Sequence, residues 1–453
     1  MVSADPGSFR DPASRIVFDN GRVIRLLDRR GVEAWEALSS TTFYDKAVQS
    51  GEIIASKPVD DPTGTAAGAL EHPRLPMITY PYEWTFSMLK DAALLQLDLL
   101  DRALVAGLTI KDATAFNIQF DRGRPVFIDI GSFERYQSGE PWLGYRQFTR
   151  QFLFPLLMRS WAGLPFQPWL RGDPDGPTAS QMRAMLDRGK RIKPAATLHI
   201  GLQARMEAKM RGSSVRGELK AAGFNAEMIL ANVRRLRTLV ATLKWDSGEA
   251  GWAGYHDYSH VARDRDQKSE FLAYALGRAN PRVVLDLGAN DGHFSRIAAS
   301  HGAHTVAVDG DETVLDRFYN HLGGASISVV LADLTNPAPS QGWRGAERPG
   351  LFERVSPDLV VAYGLIHHLI YTASVPPTSV LGWLRSFEAP LALEYVSPSD
   401  EMVAVLTANK LDEELHSGRT ESEFRNLLAD YFEVGSEHSL GGGSRTLFYL
   451  IPR

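Results

Sequence analysis

The sequence predicts an α/β protein in three parts: an α+β module at the N-terminus, a helical middle region and a C-terminal Rossmann-like sheet. Three observations carry this. From about residue 263, short apolar strands alternate with helical segments, the pattern of a parallel sheet covered on both faces. The first of those strands runs into a glycine turn and then a helix: Val283-Val284-Leu285-Asp286-Leu287-Gly288-Ala289-Asn290-Asp291-Gly292-His293-Phe294-Ser295. Near the N-terminus, two apolar runs, 14–18 and 22–26, flank Asp19-Asn20-Gly21. Asn-Gly between such runs signals a hairpin, because both turn residues tolerate positive φ.

Composition narrows the choices. The chain has 453 residues, 44% hydrophobic and 23% charged, with a net charge of -5, and these ordinary globular values exclude disordered, collagen-like and coiled-coil readings. At about 100–200 residues per domain, two or three domains are expected. With no cysteine, a disulfide framework, a thiolate zinc site, a Cys nucleophile and an iron–sulfur cluster are excluded. The opening MVSADPGSFRDPASR lacks the apolar core of a signal peptide. No apolar run approaches the ~18 residues of a membrane span. The expectation is a soluble, cytoplasmic protein with no membrane partner.

Taken in order, residues 1–14 read as a flexible tail and 15–165 as the α+β module. The module opens with the hairpin, a short helix near 31–39, a strand near 51–57 and a polar Gly/Ala-rich loop at 60–72. A long amphipathic helix at about 83–106 follows. Its Phe86, Leu89, Ala93, Leu97, Leu100 and Leu104 recur at spacings of 3 and 4, and Gly107 suits its C-cap. Then come a short strand at 108–110 and a second hairpin, 117–120 and 125–131, around Asp121-Arg122-Gly123.

Residues 166–245 are mostly helical, closed by the seam Ile229, Val233, Leu236, Val240, Leu243. Within 181–220, ten Lys/Arg against three Asp/Glu give a local 10 − 3 = +7. A solvated helical face explains this better than a nucleic-acid surface, since the whole chain is acidic and no nucleic-acid module is recognised. The stretch 246–262 (DSGEAGWAGYHDYSHVA) is an aromatic linker or lid. The C-terminal domain covers 263–453, with strands at 282–287, 304–308, 327–331, 358–363, 391–396, 432–436 and 446–451. Its longest insertion, 336–356, is polar and expected to be flexible.

The chemistry gathers at the strand ends. Gly288 lets the backbone turn tightly and approach a ligand, and Gly292 allows close approach at the helix start. Asp286 closes one strand, and Asp309 closes the next, 23 residues later. An acid there accepts hydrogen bonds from both hydroxyls of a ribose. Dinucleotide enzymes and S-adenosylmethionine (SAM) enzymes share that spacing. The turn reads D-L-G-A-N-D-G, not G-x-G-x-x-G, and the incomplete pyrophosphate fingerprint suits a ligand without a pyrophosphate.

On these residues, 265–453 resembles the class I SAM-dependent methyltransferases, in the variety whose first motif reads D-x-G-A-N-x-G. The resemblance implies a SAM cofactor, S-adenosylhomocysteine as product, and an antiparallel terminal strand. It implies that Gly288, Asn290 and Gly292 approach the methionine part and that Asp309 holds the ribose. Asp333, with Leu334 beside it, matches the acid that contacts the adenine amine; a solvated loop acid is the plainer alternative. The run Asp358–Leu369, ending Leu365-Ile366-His367-His368-Leu369, matches the fourth motif. His367 and His368 lie beside the implied acceptor site, where a neutral imidazole can take a hydroxyl proton. Neighbouring residues on a strand face opposite ways, so one functional and one structural histidine is the expectation. Tyr258, in the aromatic linker, could help close over the cofactor, and Lys268 could meet its carboxylate. A packed linker with a surface lysine fits those two residues equally well. No N-P-P-Y-type motif follows the fourth strand, which argues against methylation of base amines. The expected acceptor is a small molecule, methylated on oxygen, and no metal site is singled out.

The N-terminal module carries a second constellation. Asp112 and Asn117 form Asp-x4-Asn, and Asp129 follows twelve residues later in Ile128-Asp129-Ile130-Gly131. The order resembles the protein-kinase and aminoglycoside-phosphotransferase superfamily. That resemblance implies a catalytic-loop acid (Asp112), two metal-holding residues (Asn117, Asp129), a hinge near 77–83 and an ATP/Mg²⁺ site. The departures are large. No Gly-rich phosphate loop precedes the constellation, no V-A-I-K lysine is present, and the nearest analogues are Arg25 and Lys57. A hairpin with capping and turn acids is the structural alternative. A degenerate kinase-like module that helps form the acceptor site is favoured over a bifunctional kinase/methyltransferase using ATP-Mg, and over a non-catalytic SAM-binding scaffold. The whole arrangement resembles bacterial nodulation-related SAM-dependent methyltransferases. The acceptor is expected where the N-terminal module, helical region and methyltransferase domain meet.

Overall fold

The computed structural model describes residues 2–191, 193–194, 196–202, 225–246, 259–411, 415–440 and 442–453. The chain divides into two units: Met1–Asp246 with Ser340–Pro349, and Ser247–Pro339 with Gly350–Arg453.

In the first unit, β2 (Ser14–Asp19) and β3 (Arg22–Leu27) form the expected hairpin, with Asn20 at φ 50 and Gly21 at φ 83 in the turn. Among the described residues they belong to a five-stranded antiparallel sheet, β1-β2-β3-β5-β4, with β1 Val2–Ala4, β4 Lys57–Val59 and β5 Gly68–His72. This corrects three expectations. The 1–14 tail supplies an edge strand instead, because β2 would otherwise leave a row of backbone groups unpaired. The strand near 51–57 is only a bridge at Ile53 before β4. The 60–72 loop ends in a strand whose Leu70 and His72 are buried; its polar residues hide the alternation that marks a strand.

The long helix spans Phe86–Val105 and is capped by Thr85, whose Oγ1 accepts from the Met88 amide. All six residues of its predicted stripe are buried. Helix Ala226–Thr242 packs along it through Ile229, Val233, Leu236 and Val240, with Arg234–Asp101 and Arg237–Asp98 ion pairs at the rim. Strands β6 (Leu108–Ile110) and β9 (Phe133–Arg135) pair, and β7 (Ile118–Asp121) with β8 (Arg124–Phe127) forms the second hairpin.

In the second unit, among the described residues, seven strands order as β12-β11-β10-β13-β14-β16-β15. Their ranges are β10 Val283–Leu287, β11 His304–Asp309, β12 Ile327–Leu331, β13 Leu359–Ala362, β14 Leu391–Val396, β15 Phe432–Ser439 and β16 Arg445–Pro452. The first five are parallel, and β16 runs antiparallel between β14 and β15. This is the class I methyltransferase arrangement, with its antiparallel terminal strand. Every residue of β13 and β14 is buried, as parallel strands covered on both faces require. Helix Ser259–Ala279 covers one face through Leu272, Ala275 and Leu276 against Val284, Leu359 and Leu447.

The 336–356 insertion is not a flexible polar loop throughout. Its segment Ser340–Pro349 is part of the first unit, and Glu347 within it is buried. Among the described residues, no helix is long and apolar enough to cross a membrane.

Candidate functional site

The carboxyl ends of the parallel strands of the second unit form one candidate site. Where β10 ends, the chain turns through Gly288 (φ +76), Asn290 (φ 49) and Gly292 (φ +75) before helix His293–Ser300. A Cβ at Gly292 would fall 2.0 Å from the Phe318 ring, so only glycine fits. At Gly288 a Cβ would occupy the space beside Leu365, 3.6 Å away.

Asp309 ties the next strand to this turn. Its Oδ2 accepts from the Asn290 amide (2.9 Å) and its Oδ1 from the Asp311 amide (2.8 Å). Burial raises its pKa, against those hydrogen bonds. A carboxylate has about four acceptor positions, and the Asn290, Asp311 and Gly310 amides leave one for a ribose hydroxyl. Asp286, 2% exposed, accepts from Ser295 Oγ at 2.5 Å. Burial pushes its carboxyl up to about 7; the Ser295 hydrogen bond opposes this and the charges of Asp309 and Asp291 add to it. Asp333 is exposed and accepts from the Thr335 amide and hydroxyl, with Leu334 half-buried beside it. The preceding Ala332 amide donates to the Asp309 carbonyl (2.8 Å), which brings Asp333 to the same strand end.

Lys268 is not a surface lysine: it is 13% exposed, with Nζ 2.8 Å from Glu394 Oε2. Glu394 is fully buried in β14 and also accepts from the Gly364 amide (2.7 Å) and Arg445 Nη1 (3.2 Å). Arg445 continues to Asp400. Sequence reasoning missed this acid–base cluster; its signal was an acid in the middle of the apolar run Leu391-Ala392-Leu393-Glu394-Tyr395-Val396. Tyr258 and the neighbouring linker aromatics lie outside the described residues.

The two histidines differ. His367 is 1% exposed, and among the described residues neither ring nitrogen has a hydrogen-bond partner. It lines a small cavity with Ile370, Tyr371, Tyr395, Arg419 and Phe424. Burial, then the neighbouring His368, lowers its pKa to about 3, so the ring stays neutral. His368 is half-buried, its ring centroid 4.2 Å from that of His367, and burial lowers its pKa as well. Among the described residues, the Tyr363 hydroxyl, just after β13, is also buried without a partner.

The first unit brings its predicted residues together too. Arg25, 7% exposed, donates from Nη1 to Asp129 Oδ1 (2.7 Å) and Ser14 Oγ (2.8 Å), from Nη2 to the Ile128 carbonyl (3.2 Å), and from Nε toward His72 Nε2 (3.3 Å). Ser132 Oγ donates to Asp129 Oδ2 at 2.5 Å. Asn117 Nδ2 donates to the Asp112 carbonyl and to Ser132 Oγ. Burial pushes the Asp129 pKa up, but the Arg25 charge and the Ser132 hydrogen bond outweigh it and the net shift is downward. The Asp112 pKa is raised by burial and by the charge of Asp129. Lys57, the other candidate anchor, is exposed in β4. A guanidinium thus lies 2.7 Å from the Asp129 carboxylate, and its positive charge, not a lack of acceptor positions, opposes a magnesium ion there. Among the described residues, no group of three or more His, Asp or Glu is placed to hold a metal.

No protein-family model matches the chain. Over 471 residues, 99% of this chain and 97% of the relative, it is 33% identical to Nodulation protein NoeA of Rhizobium meliloti (strain 1021). The chain belongs to the NoeA family. The NoeA alignment runs through both units, so the family shares the N-terminal unit as well as the sheet. Among solved structures, the N-methyltransferase NodS from Bradyrhizobium japonicum WM9, in complex with S-adenosylhomocysteine, is 13% identical, with a TM-score of 0.33 over 46% of this chain and 94% of NodS. Magnesium protoporphyrin IX methyltransferase (ChlM) from Synechocystis PCC 6803 is 15% identical, with a TM-score of 0.30 over 49% of this chain and 94% of ChlM.

Proposed function

We propose that this NoeA-family chain is a SAM-dependent methyltransferase acting on an oxygen of a small-molecule acceptor. The observation that carries the reading is the Asp309 carboxylate, fastened to the Gly288–Gly292 turn yet with an acceptor position left over. In this reading, Gly288, Asn290 and Gly292 take the methionine part, Asp309 takes the ribose and Asp333 with Leu334 takes the adenine. Asp286, bonded to Ser295, holds the first turn of the following helix in place. When bound, the cofactor supplies an electrophilic methyl group. The chain's own work is alignment and proton removal. His368, half-buried and held neutral, takes the proton of the acceptor hydroxyl. His367, beneath it, keeps a second imidazole neutral in the cavity. The relative's name, a nodulation protein, supports an acceptor from specialised biosynthesis.

Calorimetric titration of the full chain with S-adenosylhomocysteine tests the reading. Saturable binding, weakened in Asp309→Ala, is the expected result. No heat from either protein would sink it. The Arg25 guanidinium against Asp129 weighs against a second, ATP-using activity, and a thermal-shift scan with ATP and Mg²⁺ should show no stabilisation.

A further inference from the structure

The strap Ser340–Pro349 leaves the methyltransferase sheet between β12 and β13 and is part of the N-terminal unit. It is a tight hairpin. Gln341 and Arg348 exchange two backbone hydrogen bonds of 2.8 and 3.0 Å. A Cβ on Gly342 would lie 2.5 Å from Glu347 Cβ, so the turn wraps closely round that acid. Glu347 is 5% exposed. Its Oε1 accepts from Arg10 Nε (2.9 Å), and its Oε2 accepts from Arg10 Nη2 (2.7 Å) and from the Trp343 amide (2.9 Å). Arg348 lays its guanidinium over the Phe116 ring, 4.2 Å from the centroid. On the other side Gly7 abuts the Glu347 carbonyl, which a Cβ there would meet at 2.8 Å.

The receiving surface has two parts. One is the N-terminal arm, with Gly7, Arg10 and Asp11. The other is the 111–117 loop: Phe116 sits under Arg348, and Lys111 pairs with Asp11 at 3.6 Å. Arg10 and Glu347 are 337 residues apart in sequence, so no local tendency holds them together. A bidentate guanidinium–carboxylate pair is directional as well as attractive. A guanidinium over an aromatic face adds a contact that tolerates water at its edge. Arg10 itself is 66% exposed, a clasp at the rim and not a core residue.

We propose that this surface is a docking site whose ligand is the chain's own hairpin, presented through its buried Glu347. The loop that resembles a phosphotransferase catalytic loop works as a receptor for the methyltransferase insertion, with Arg10 reading the carboxylate and Phe116 reading Arg348. The inference stands on contacts within the N-terminal unit and is independent of cofactor binding.

The test uses the full chain with residues 340–349 replaced by a Gly/Ser run of equal length, and a dye-labelled peptide of residues 338–351. The tether in the native chain supplies a millimolar effective concentration, so peptide is titrated to that range. Anisotropy should report saturable binding to the replaced chain, at least about 10-fold weaker binding to the wild type, where the surface is filled, and loss of binding on adding Arg10→Ala or Phe116→Ala. No binding to a replaced chain that still melts cooperatively overturns the proposal, as does equal binding to the wild type. If the replaced chain fails to fold, Arg348→Ala in the intact chain decides by amide hydrogen exchange. Exchange about 10-fold faster at 5–11 and 112–117 is expected, and unchanged rates there overturn the proposal.

Discussion

Arg25 in the N-terminal unit and His367 in the methyltransferase unit are both almost fully buried, and they meet opposite surroundings. Arg25 has Asp129, Ser14, His72 and a backbone carbonyl around it. His367 has a cavity and no partner on either nitrogen, among the described residues. A polar group costs about 1–3 kcal/mol when buried unsatisfied. The first cluster avoids that cost by closing on itself, and in doing so sets a guanidinium against the carboxylate that a metal would need. The second keeps it, beside a small cavity. The two constellations that the sequence singles out thus separate into one that is internally complete and one that is not.

The largest effect should come from breaking the complete cluster. Arg25→Met leaves Asp129 buried without its counter-charge, and such single removals cost about 3–5 kcal/mol. Asp129 is 25% exposed, so the lower end, about 3 kcal/mol, is expected in urea unfolding. Adding Asp129→Asn should recover much of the loss. A change within about 0.5 kcal/mol for Arg25→Met would mean the cluster is not a closed structural unit.

The open site should respond in ligand binding. Asp309→Ala removes a charged acceptor of the ligand, a hydrogen bond of about 1.5–3 kcal/mol. Affinity for S-adenosylhomocysteine should fall by roughly 10- to 100-fold by calorimetry, and loss of the Asn290 and Asp311 hydrogen bonds should lower the melting temperature as well. Equal affinities would remove Asp309 from the cofactor site.

His367→Leu sharpens the contrast further. Replacing an unsatisfied buried group with an apolar one of similar size should leave stability unchanged or raise it by about 1 kcal/mol. Methyl transfer, followed by S-adenosylhomocysteine release, should fall. A variant that loses stability as Arg25→Met does would show that His367 is a structural residue with partners in solution.

The methyltransferase sheet was readable because its signals are local: an apolar strand, a glycine turn, and an acid one strand later. The turn residues and Asp309 came together as their spacing implied. The Glu394–Lys268–Arg445 cluster was not readable, since its members lie on a helix and two strands and only the folded sheet makes them neighbours. The same holds for the strap. A polar run such as 336–356 looks solvated until a partner 337 residues away covers its one buried acid. The 60–72 segment failed for another reason: His72 is a polar residue on a buried face, held by Arg25 and Ser56, and it breaks the strand pattern.

The smallest predicted effect is a pH dependence between pH 6 and pH 8 that one region shows and the other does not. Among the described residues Asp286 has Ser295 for support, and burial pushes its carboxyl up to about 7 from the ordinary 3.8. An acid raised in the folded state gives its full share of stability below its unfolded pKa and loses it as pH rises through the folded one. Asparagine in its place can still accept from Ser295 and cannot ionise. The stability of Asp286→Asn relative to wild type should therefore increase with pH, by about 1 kcal/mol between pH 6 and pH 8. Asp129 is shifted the other way by Arg25 and Ser132. Its contribution is present above the unfolded value and is lost only as pH falls through the lower, folded one, so Asp129→Asn should show no such gain between pH 6 and pH 8. Taking the difference between each variant and wild type cancels the buried histidines, which titrate alike in both. Urea midpoints at pH 6, 7 and 8 measure it. A flat difference for Asp286→Asn, or a rising one for Asp129→Asn, would mean that the two acids do not sit in the contrasting environments that separate the closed cluster from the open one.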